Sequence, residues 1–496
     1  MLFADFYAGA GGWTLGLSLA GHESVLSAEI WSAANRARAW NLGTEDKAID
    51  VRAFDPSSAP RCSLVVGSPP CTQFSYANRG GNGDIEDGLA DVRAFLRIVR
   101  AMDPEYWVME NVPRLTGILA EELAPGGRLE EFADLFASVD DFDMSEWGVP
   151  QRRRRCIAGR YPREALLALR GRRAPTLGQV LSATAEGRDP VWGSSGLPVT
   201  DNDPGLSLTW EESRINEEKK RNHPIYNDMA FPDAPGRTAR TVTATCTKVS
   251  RESIVVPDGR GGHRLLSVRE SAAVQSFPLS YQFAGASRSD RIKMAGNAIP
   301  PLFTYFVGLA VAGKEAPATL PSFTPVRGTA TDAPLENAAR RAHRPGRPFR
   351  AAIRGLRYKS GMSFELRNGK DGWEVVFNSG GPGRPKTAGP ALIALAAARL
   401  PSAVLPEGFD ATVTQAAWEE SRDCSAHPFR VADRIGEAAR HPVDSVRAAE
   451  ALKVLYEGLG LDVPAKAGRN AGSIAAGIAV AAAFNKAAEA EKAEAA

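Results

Sequence analysis

Three kinds of chemically competent side chain stand at the ends of short apolar runs. Cys71 closes Gly67-Ser68-Pro69-Pro70-Cys71, Glu110 closes Tyr106-Trp107-Val108-Met109-Glu110, and Gly148-Val149-Pro150-Gln151-Arg152-Arg153-Arg154-Arg155 sets four guanidinium groups ahead of Cys156-Ile157-Ala158. A thiol becomes a nucleophile once ionised, a carboxyl can carry or share a proton, and guanidinium forks grip polar or anionic groups bidentately. In an extended segment the alternate members Arg153 and Arg155 share a face. Each feature alone has a plainer explanation: a lone loop cysteine is commonly buried filler, and an arginine run a solvated edge.

The elements around these residues make the plainer explanations less complete. Ser63-Leu64-Val65-Val66 reads as a buried strand, and the Gly-Ser-Pro-Pro after it must end it, because proline lacks the ladder donor and restricts its own dihedral and its neighbour's. Cys71 and Glu110 are therefore each expected at the carboxyl end of a strand, the edge where open α/β sheets keep their ligand crevice. Phe3 to Tyr7 reads as a strand, Ala8-Gly9-Ala10-Gly11-Gly12 as a tight turn, and Trp13 to Ala20 as a helix. Such a unit cradles a nucleotide-like group, since glycine lets backbone approach the ligand. A second strand, Val25 to Ile30, carries Glu29 about 20 residues past the glycines, where a carboxylate can accept ribose hydroxyls. A third short strand is predicted to end near Asp50, and Leu89 to Met102 has helical periodicity. This alternation predicts an α/β domain built on a doubly wound, mostly parallel sheet.

The chain of 496 residues exceeds the size at which one core stops growing, so two or three domains are expected. Its 44% apolar and 24% charged residues are those of an ordinary soluble globular protein. The five cysteines, Cys62, Cys71, Cys156, Cys246 and Cys424, show neither metal-ligand spacing nor a disulfide framework, which points to a reducing cytoplasmic compartment and no metal site. The start has no signal-peptide pattern, and the apolar stretch Ala471 to Phe484 is too short to span a bilayer.

The recognisable pattern changes along the chain. Tyr161 to His263 is rich in turns, the composition of recognition loops, with no persuasive periodic element. Regularity returns at Arg264 to Phe277, a helix opened by a Ser267 and Glu270 capping box, and again at the apolar helix Leu302 to Ala312, after Gly296-Asn297-Ala298-Ile299-Pro300-Pro301. Beyond Glu315 a Pro-, Ala- and Arg-rich stretch reads as a linker. Met362 to Arg367 and Trp373 to Asn378 form a predicted β-hairpin, and from Pro390 the pattern is mostly helical. Between Arg327 and Thr387, 13 Lys and Arg face 5 Asp and Glu, a local excess of +8 within a chain of net charge +2. Such a block suits either a polyanion or a solvated linker.

Taken in order, Asp5-Phe6-Tyr7-Ala8-Gly9-Ala10-Gly11-Gly12, Gly67 to Cys71, Glu110-Asn111-Val112, Gln151 to Arg155, Arg264 to Glu270 and Gly296 to Pro301 resemble the motifs of the cytosine carbon-5 DNA methyltransferase family. The resemblance spans about 310 residues and leaves the rest of the chain unexplained. It implies an S-adenosylmethionine-dependent fold with a target-recognition domain, double-stranded DNA as substrate, and a target cytosine flipped from the duplex.

On this reading Cys71 attacks carbon 6 of cytosine, activated by nearby arginines. Glu110 engages ring nitrogen 3 and the exocyclic amine, Arg153 contacts the carbonyl oxygen, and Gln151 and Arg155 support the loop. Tyr7, Ala8, Gly9, Gly11, Gly12, Glu29, Asp50, Pro70 and Asn297 match cofactor-site positions, and Ser75, Thr241 and Thr243 are DNA-facing candidates. Tyr7 replaces the family's usual phenylalanine, and Ala298-Ile299 its commoner Ser-Val. The implied domains are a catalytic domain of residues 1–160 and 264–315, a target-recognition domain of 161–263, a basic linker of 316–350, and an extension of 351–496. A monomer on DNA, with a cognate restriction endonuclease as candidate partner and no membrane contact, completes the expectation. An RNA cytosine-5 methyltransferase, with transfer RNA as substrate, and a non-catalytic DNA-binding relative remain alternatives.

Overall fold

The computed structural model describes residues 1–74, 84–194, 205–208, 210–221, 229–283 and 287–328, together with strands between 350 and 388; Ser75 and the helical region predicted from Pro390 lie outside the described residues. The chain divides into two compact units, Met1–Asn216 with Ala230–Asn337, and Glu217–Met229 with Ala338–Ala496.

The first unit is organised on a six-stranded sheet. In chain order its opening elements are β1 (Leu2–Phe6), α1 (Gly12–Leu19), β2 (Glu23–Ala28), α2 (Ser32–Leu42), β3 (Leu64–Gly67), α3 (Ile85–Met102), β4 (Tyr106–Asn111), α4 (Arg114–Glu122), β5 (Ser138–Asp143), β6 (Gln151–Arg152) and β7 (Arg154–Arg160). The sheet order is β2-β1-β3-β4-β7-β5. Strands β2, β1, β3 and β4 run parallel, while β7 is antiparallel to both β4 and β5.

Strand alternation divides the apolar side chains between two cores. Leu64, Val66 and Val108 face one, with Trp13 and Leu17 of α1; Val65, Trp107 and Met109 face the other, with Phe95, Leu96 and Val99 of α3. A sheet covered by helices on both faces leaves strand ends as the place where polar side chains can gather. Because β7 runs against β4, its amino end lies at the carboxyl end of β4, and that one reversal brings the arginine run to the Glu110 edge.

Tyr161 to His263 is more regular than its composition suggested. It contains α5 (Arg163–Ala168), α6 (Leu177–Ala185), α7 (Trp210–Arg221) and the short strands β8 (Ala239–Arg240) and β9 (Val255–Pro257), with β10 (His263–Leu265) completing a pair with β9. These helices are short, and α6 is set by a Thr176 and Gln179 capping box rather than by a long amphipathic repeat. Next come α8 (Val268–Val274), opened as expected by the Ser267 and Glu270 box, α9 (Arg288–Asn297) and α10 (Pro301–Val311). The stretch Arg288–Val311 is long and apolar enough to cross a membrane by length and composition, yet 89% of its apolar window is buried inside the protein. It is core.

The predicted strand before Asp50 does not form. Residues 43–50 are irregular, and Asp50 instead caps a 3-10 turn, Val51–Ala53, by accepting the Arg52 N–H. The stretch after Glu315 is not free chain through Gly328: Leu320 and Phe323 are buried, and the Val326 N–H donates to the Asn41 carbonyl. In the second unit the predicted hairpin is β12 (Ser363–Gly369) paired with β13 (Gly372–Phe377), flanked by β11 (Arg350–Arg357) and β14 (Thr387–Ala388) in a four-stranded antiparallel meander.

Candidate active site

The glycine turn after β1 is held open by backbone that ordinary residues avoid. Tyr7 has φ 56°, Gly9 50° and Gly11 85°. For a tyrosine that left-handed conformation is strained, and such strain clusters at functional sites. A side-chain carbon at Gly9 would meet nothing within 4 Å, so its surface faces open space; one at Gly12 would lie 2.2 Å from the Ile299 carbonyl oxygen. Gly12 is therefore a packing glycine, and its contact seats the Asn297 stretch against the turn.

Glu29 comes just after β2, and its carboxylate is oriented by two backbone donors, Gly9 N–H at 2.9 Å and Trp31 N–H at 2.7 Å. Ala8 closes the turn by accepting the Gly11 N–H at 2.9 Å. Beside Glu29 stands Ile30, 63% exposed, a large apolar side chain left uncovered next to a polar cradle. An open glycine surface, a fixed carboxylate and an adjoining apolar face fit a nucleoside-bearing ligand. Nothing in the sequence distinguishes Ile30, whose position reads only as the end of a strand.

The nucleophile loop leaves β3 at Gly67, where a side-chain carbon would collide with the Phe95 ring at 2.5 Å. Three ties shape the residues beyond it. Ser68 donates its N–H to the Phe6 carbonyl and accepts the Trp13 indole N–H at 3.0 Å, and Asn111 donates its amide to the Pro69 carbonyl at 3.0 Å. Asn111, next to Glu110, thus pins the proline pair to the end of β4. Pro70 is exposed, Cys71 partly exposed, and Phe74 fully buried as a plug.

The two arginines expected to share a face do not behave alike. The strand breaks between β6 and β7 at Arg153, whose buried guanidinium donates to the carbonyls of Val242 (3.1 Å), Gly296 (3.0 Å) and Ala298 (3.1 Å). Arg155 Nε instead pairs with Glu110 Oε1 at 2.9 Å, both side chains being mostly buried. Arg153 is thus a scaffold for the Gly296-Asn297-Ala298 turn, and the guanidinium paired with the carboxylate at the end of β4 is that of Arg155. Gln151 is equally structural: its amide donates to the Val274 carbonyl and to Gln275, and it accepts the Val242 N–H at 3.0 Å. Thr241 donates to the Arg152 carbonyl and Thr243 to the Thr245 carbonyl, which leaves both on the partly exposed segment beside the arginine run. Asn297 is exposed between Gly296 and Ala298.

Electrostatics at the thiol oppose the simple expectation that arginines activate it. Burial and then the negative charge of Glu110 push the Cys71 thiol above its ordinary pKa, and the pull of Arg155 and Arg153 is too small to reverse them. Burial, and then Arg155, pull the Arg153 guanidinium down to about 9, so it remains charged near neutrality. The resting site therefore holds a thiol; drawing away the charge on Glu110 would remove the second of the two causes and ease ionisation, while burial, the larger, remains.

Fold and site together define an α/β enzyme with a nucleoside-type cradle and a strand-end thiol set beside a carboxylate–guanidinium pair. The family model described as C-5 cytosine-specific DNA methylase matches residues 1–312. Type II methyltransferase M.HindV of Haemophilus influenzae is 29% identical over 330 residues, covering 64% of this chain and 97% of its own. M.MthTI of Methanothermobacter thermautotrophicus is 25% identical over 316 residues, covering 60% and 93%. M.HgiDI of Herpetosiphon aurantiacus is 27% identical over 317 residues, covering 62% and 93%. The chain belongs to the C-5 cytosine-specific DNA methylase family and is a DNA (cytosine-5-)-methyltransferase.

Proposed function

We propose that this enzyme methylates a specific duplex DNA sequence through a covalent Cys71 adduct, with S-adenosylmethionine as donor. The observation that carries this reading is the Arg155–Glu110 pair at 2.9 Å, whose two charges act on the Cys71 thiol in the loop after β3. Bound S-adenosylmethionine supplies an electrophilic methyl group. Gly9, Glu29 and Ile30 would hold its nucleoside portion, with Tyr7, Ala8, Gly11 and Asp50 shaping the turn and its neighbour and Gly12 seating the Asn297 stretch.

Cytosine carbon 5 is a weak nucleophile, so the ring must first be made an enamine by addition at carbon 6. Glu110, taking up the proton that the Cys71 thiol releases or one from solvent, donates it to ring nitrogen 3 and accepts from the exocyclic amine with its other oxygen, while Arg155 holds the carbonyl oxygen. Engaging Glu110 with the base removes the main charge opposing the Cys71 thiolate, so base binding and nucleophile ionisation are coupled. The sulfur then bonds to carbon 6 as the ring gains a proton or strong hydrogen bond at nitrogen 3. After methylation, loss of the carbon-5 proton expels the thiolate. Arg153, Gln151 and Asn111 hold the surrounding backbone, and the partly exposed Thr241 to Thr243 segment, tied to the arginine run by the Thr241 hydroxyl, would support the flipped nucleotide's backbone.

The Type II names of the relatives support a role in restriction–modification; a cognate endonuclease as partner, a cytoplasmic setting and action as a monomer complete the proposal. Bisulfite sequencing of host DNA after expression tests activity and target together. A duplex carrying 5-fluorocytosine at the methylated position should form a denaturation-stable adduct on the Cys71 peptide, because fluorine cannot leave as a proton does. An adduct on another residue, or methylation by Cys71→Ala, would overturn the mechanism.

A further inference from the structure

A polar chain joins the donor cradle to the nucleophile loop along the start of α3. Tyr7 donates its hydroxyl to Asp91 Oδ1 at 3.1 Å. Arg52 grips Asp91 with Nε and Nη2, both at 2.7 Å, and its Nη2 also reaches Asp87 Oδ1 at 3.0 Å. Asp87 Oδ2 accepts the Gln73 amide at 3.0 Å, and Gln73 Oε1 accepts the Asp84 N–H at 3.0 Å. Gln73 stands two residues past the nucleophile, and Asp84 caps α3. At the other end the Arg52 N–H caps onto Asp50, whose turn borders the cradle. A phenylalanine at position 7 would have no hydroxyl to enter this chain.

Isolated exposed ion pairs contribute little, but here the central carboxylate is not exposed. The Asp91 side chain is 11% accessible, against 43% for Arg52 and 47% for Asp87. Burial and then Asp91 push the Tyr7 phenol up, and the Arg52 hydrogen bond holds Asp87 below its ordinary carboxylate range. The bidentate Arg52–Asp91 grip fixes orientation as well as distance.

We infer that Arg52, clamped between Asp91 and Asp87, is a positioning residue that couples the donor cradle at Tyr7 and Asp50 to the nucleophile loop through Gln73. This rests on the cradle binding S-adenosyl compounds, as proposed above. Coupling of this kind makes a change on the nucleophile loop felt at the cradle, which no direct contact of Gln73 would produce.

The test is the affinity of the full-length enzyme for S-adenosylhomocysteine, measured by calorimetry without DNA. Gln73→Leu should weaken binding roughly 3- to 10-fold and Arg52→Met at least as much, while Tyr7→Phe combined with Gln73→Leu should cost less than the product of the single effects. Unchanged affinity in Gln73→Leu with an unchanged melting temperature, or strictly multiplicative effects in the double variant, would overturn the coupling. If Gln73→Leu fails to fold, Asp87→Asn replaces it, with the same two outcomes. A wild-type enzyme that binds no S-adenosylhomocysteine would sink the donor reading itself; wild-type binding with insensitive variants sinks only the coupling.

Discussion

The loop from Gly67 to Phe74 and the segment from Pro150 to Arg155 deliver their residues to one edge of one sheet, but different forces hold them. The nucleophile loop is shaped largely from within, by two prolines, a glycine pressed on Phe95 and a buried Phe74, with two outside ties from the neutral Trp13 and Asn111 side chains. The arginine segment is held from outside by side chains reaching distant carbonyls, Arg153 to residues 242, 296 and 298 and Gln151 to 274. A loop set by its own backbone can lose its reactive side chain cheaply. A segment held by buried charged donors cannot lose those donors without leaving acceptors unpaired.

The largest expected effect separates chemistry from structure at the first region. Cys71→Ser should lower methyl transfer roughly ten-thousand-fold or more while leaving the melting temperature unchanged, since serine fits the space and only the nucleophile is lost. A melting shift as large as the activity loss would show that the loop depends on its thiol. The second region is dissected by its two arginines. Arg155→Met should cost roughly a hundred- to a thousand-fold in kcat of the folded enzyme, as expected for a group aimed at developing charge, beyond whatever stability is lost by stranding the mostly buried Glu110 carboxylate. Arg153→Met should instead cost about 3 kcal/mol of stability, read by denaturant unfolding, because three buried carbonyls lose their donor. Reversal of that pattern would exchange their roles.

Apart from both regions, Asp5 is fully buried on β1, where burial raises its pKa from 3.8 to about 7 despite the Thr14 hydrogen bond. The folded protein thus holds this proton where the unfolded chain releases it. The contribution is fully present below about pH 4, declines as the pH rises towards 7, and amounts to a few kcal/mol. Asp5→Asn, which keeps an acceptor for Thr14, should flatten that part of the stability–pH profile; an unchanged profile would place the titration elsewhere. The smallest effect sharpens the electrostatics of the thiol. Glu110→Gln removes a charge that opposes the thiolate, so alkylation of the Cys71 peptide by iodoacetamide near neutral pH should rise a few-fold even as methyl transfer falls. Slower alkylation would mean that Glu110 assists ionisation in the resting enzyme.

Much of the site was legible because its elements announce themselves locally. The Pro69-Pro70-Cys71 break, the Ser267 and Glu270 capping box, the glycine turn and the β12–β13 hairpin are each written in a few adjacent residues, and each is present in the fold. The short helices α5 to α7 escape a periodicity reading because tertiary packing and a cap stabilise them rather than a repeat. Residues before Asp50 differ in another way: a strand's composition there gave way to a capped turn.

The sequence by itself determined the residue types at the strand ends, hence the class of chemistry, because proline and glycine act through backbone geometry that is local. Only the tertiary structure decided which arginine faces Glu110, since that depends on a strand break at Arg153 and on carbonyls about 90 to 145 residues away. It also decided the sign at Cys71, where burial and a like charge outweigh two arginines. Electrostatic balance depends on distances and burial in three dimensions, and no spacing along a chain contains them.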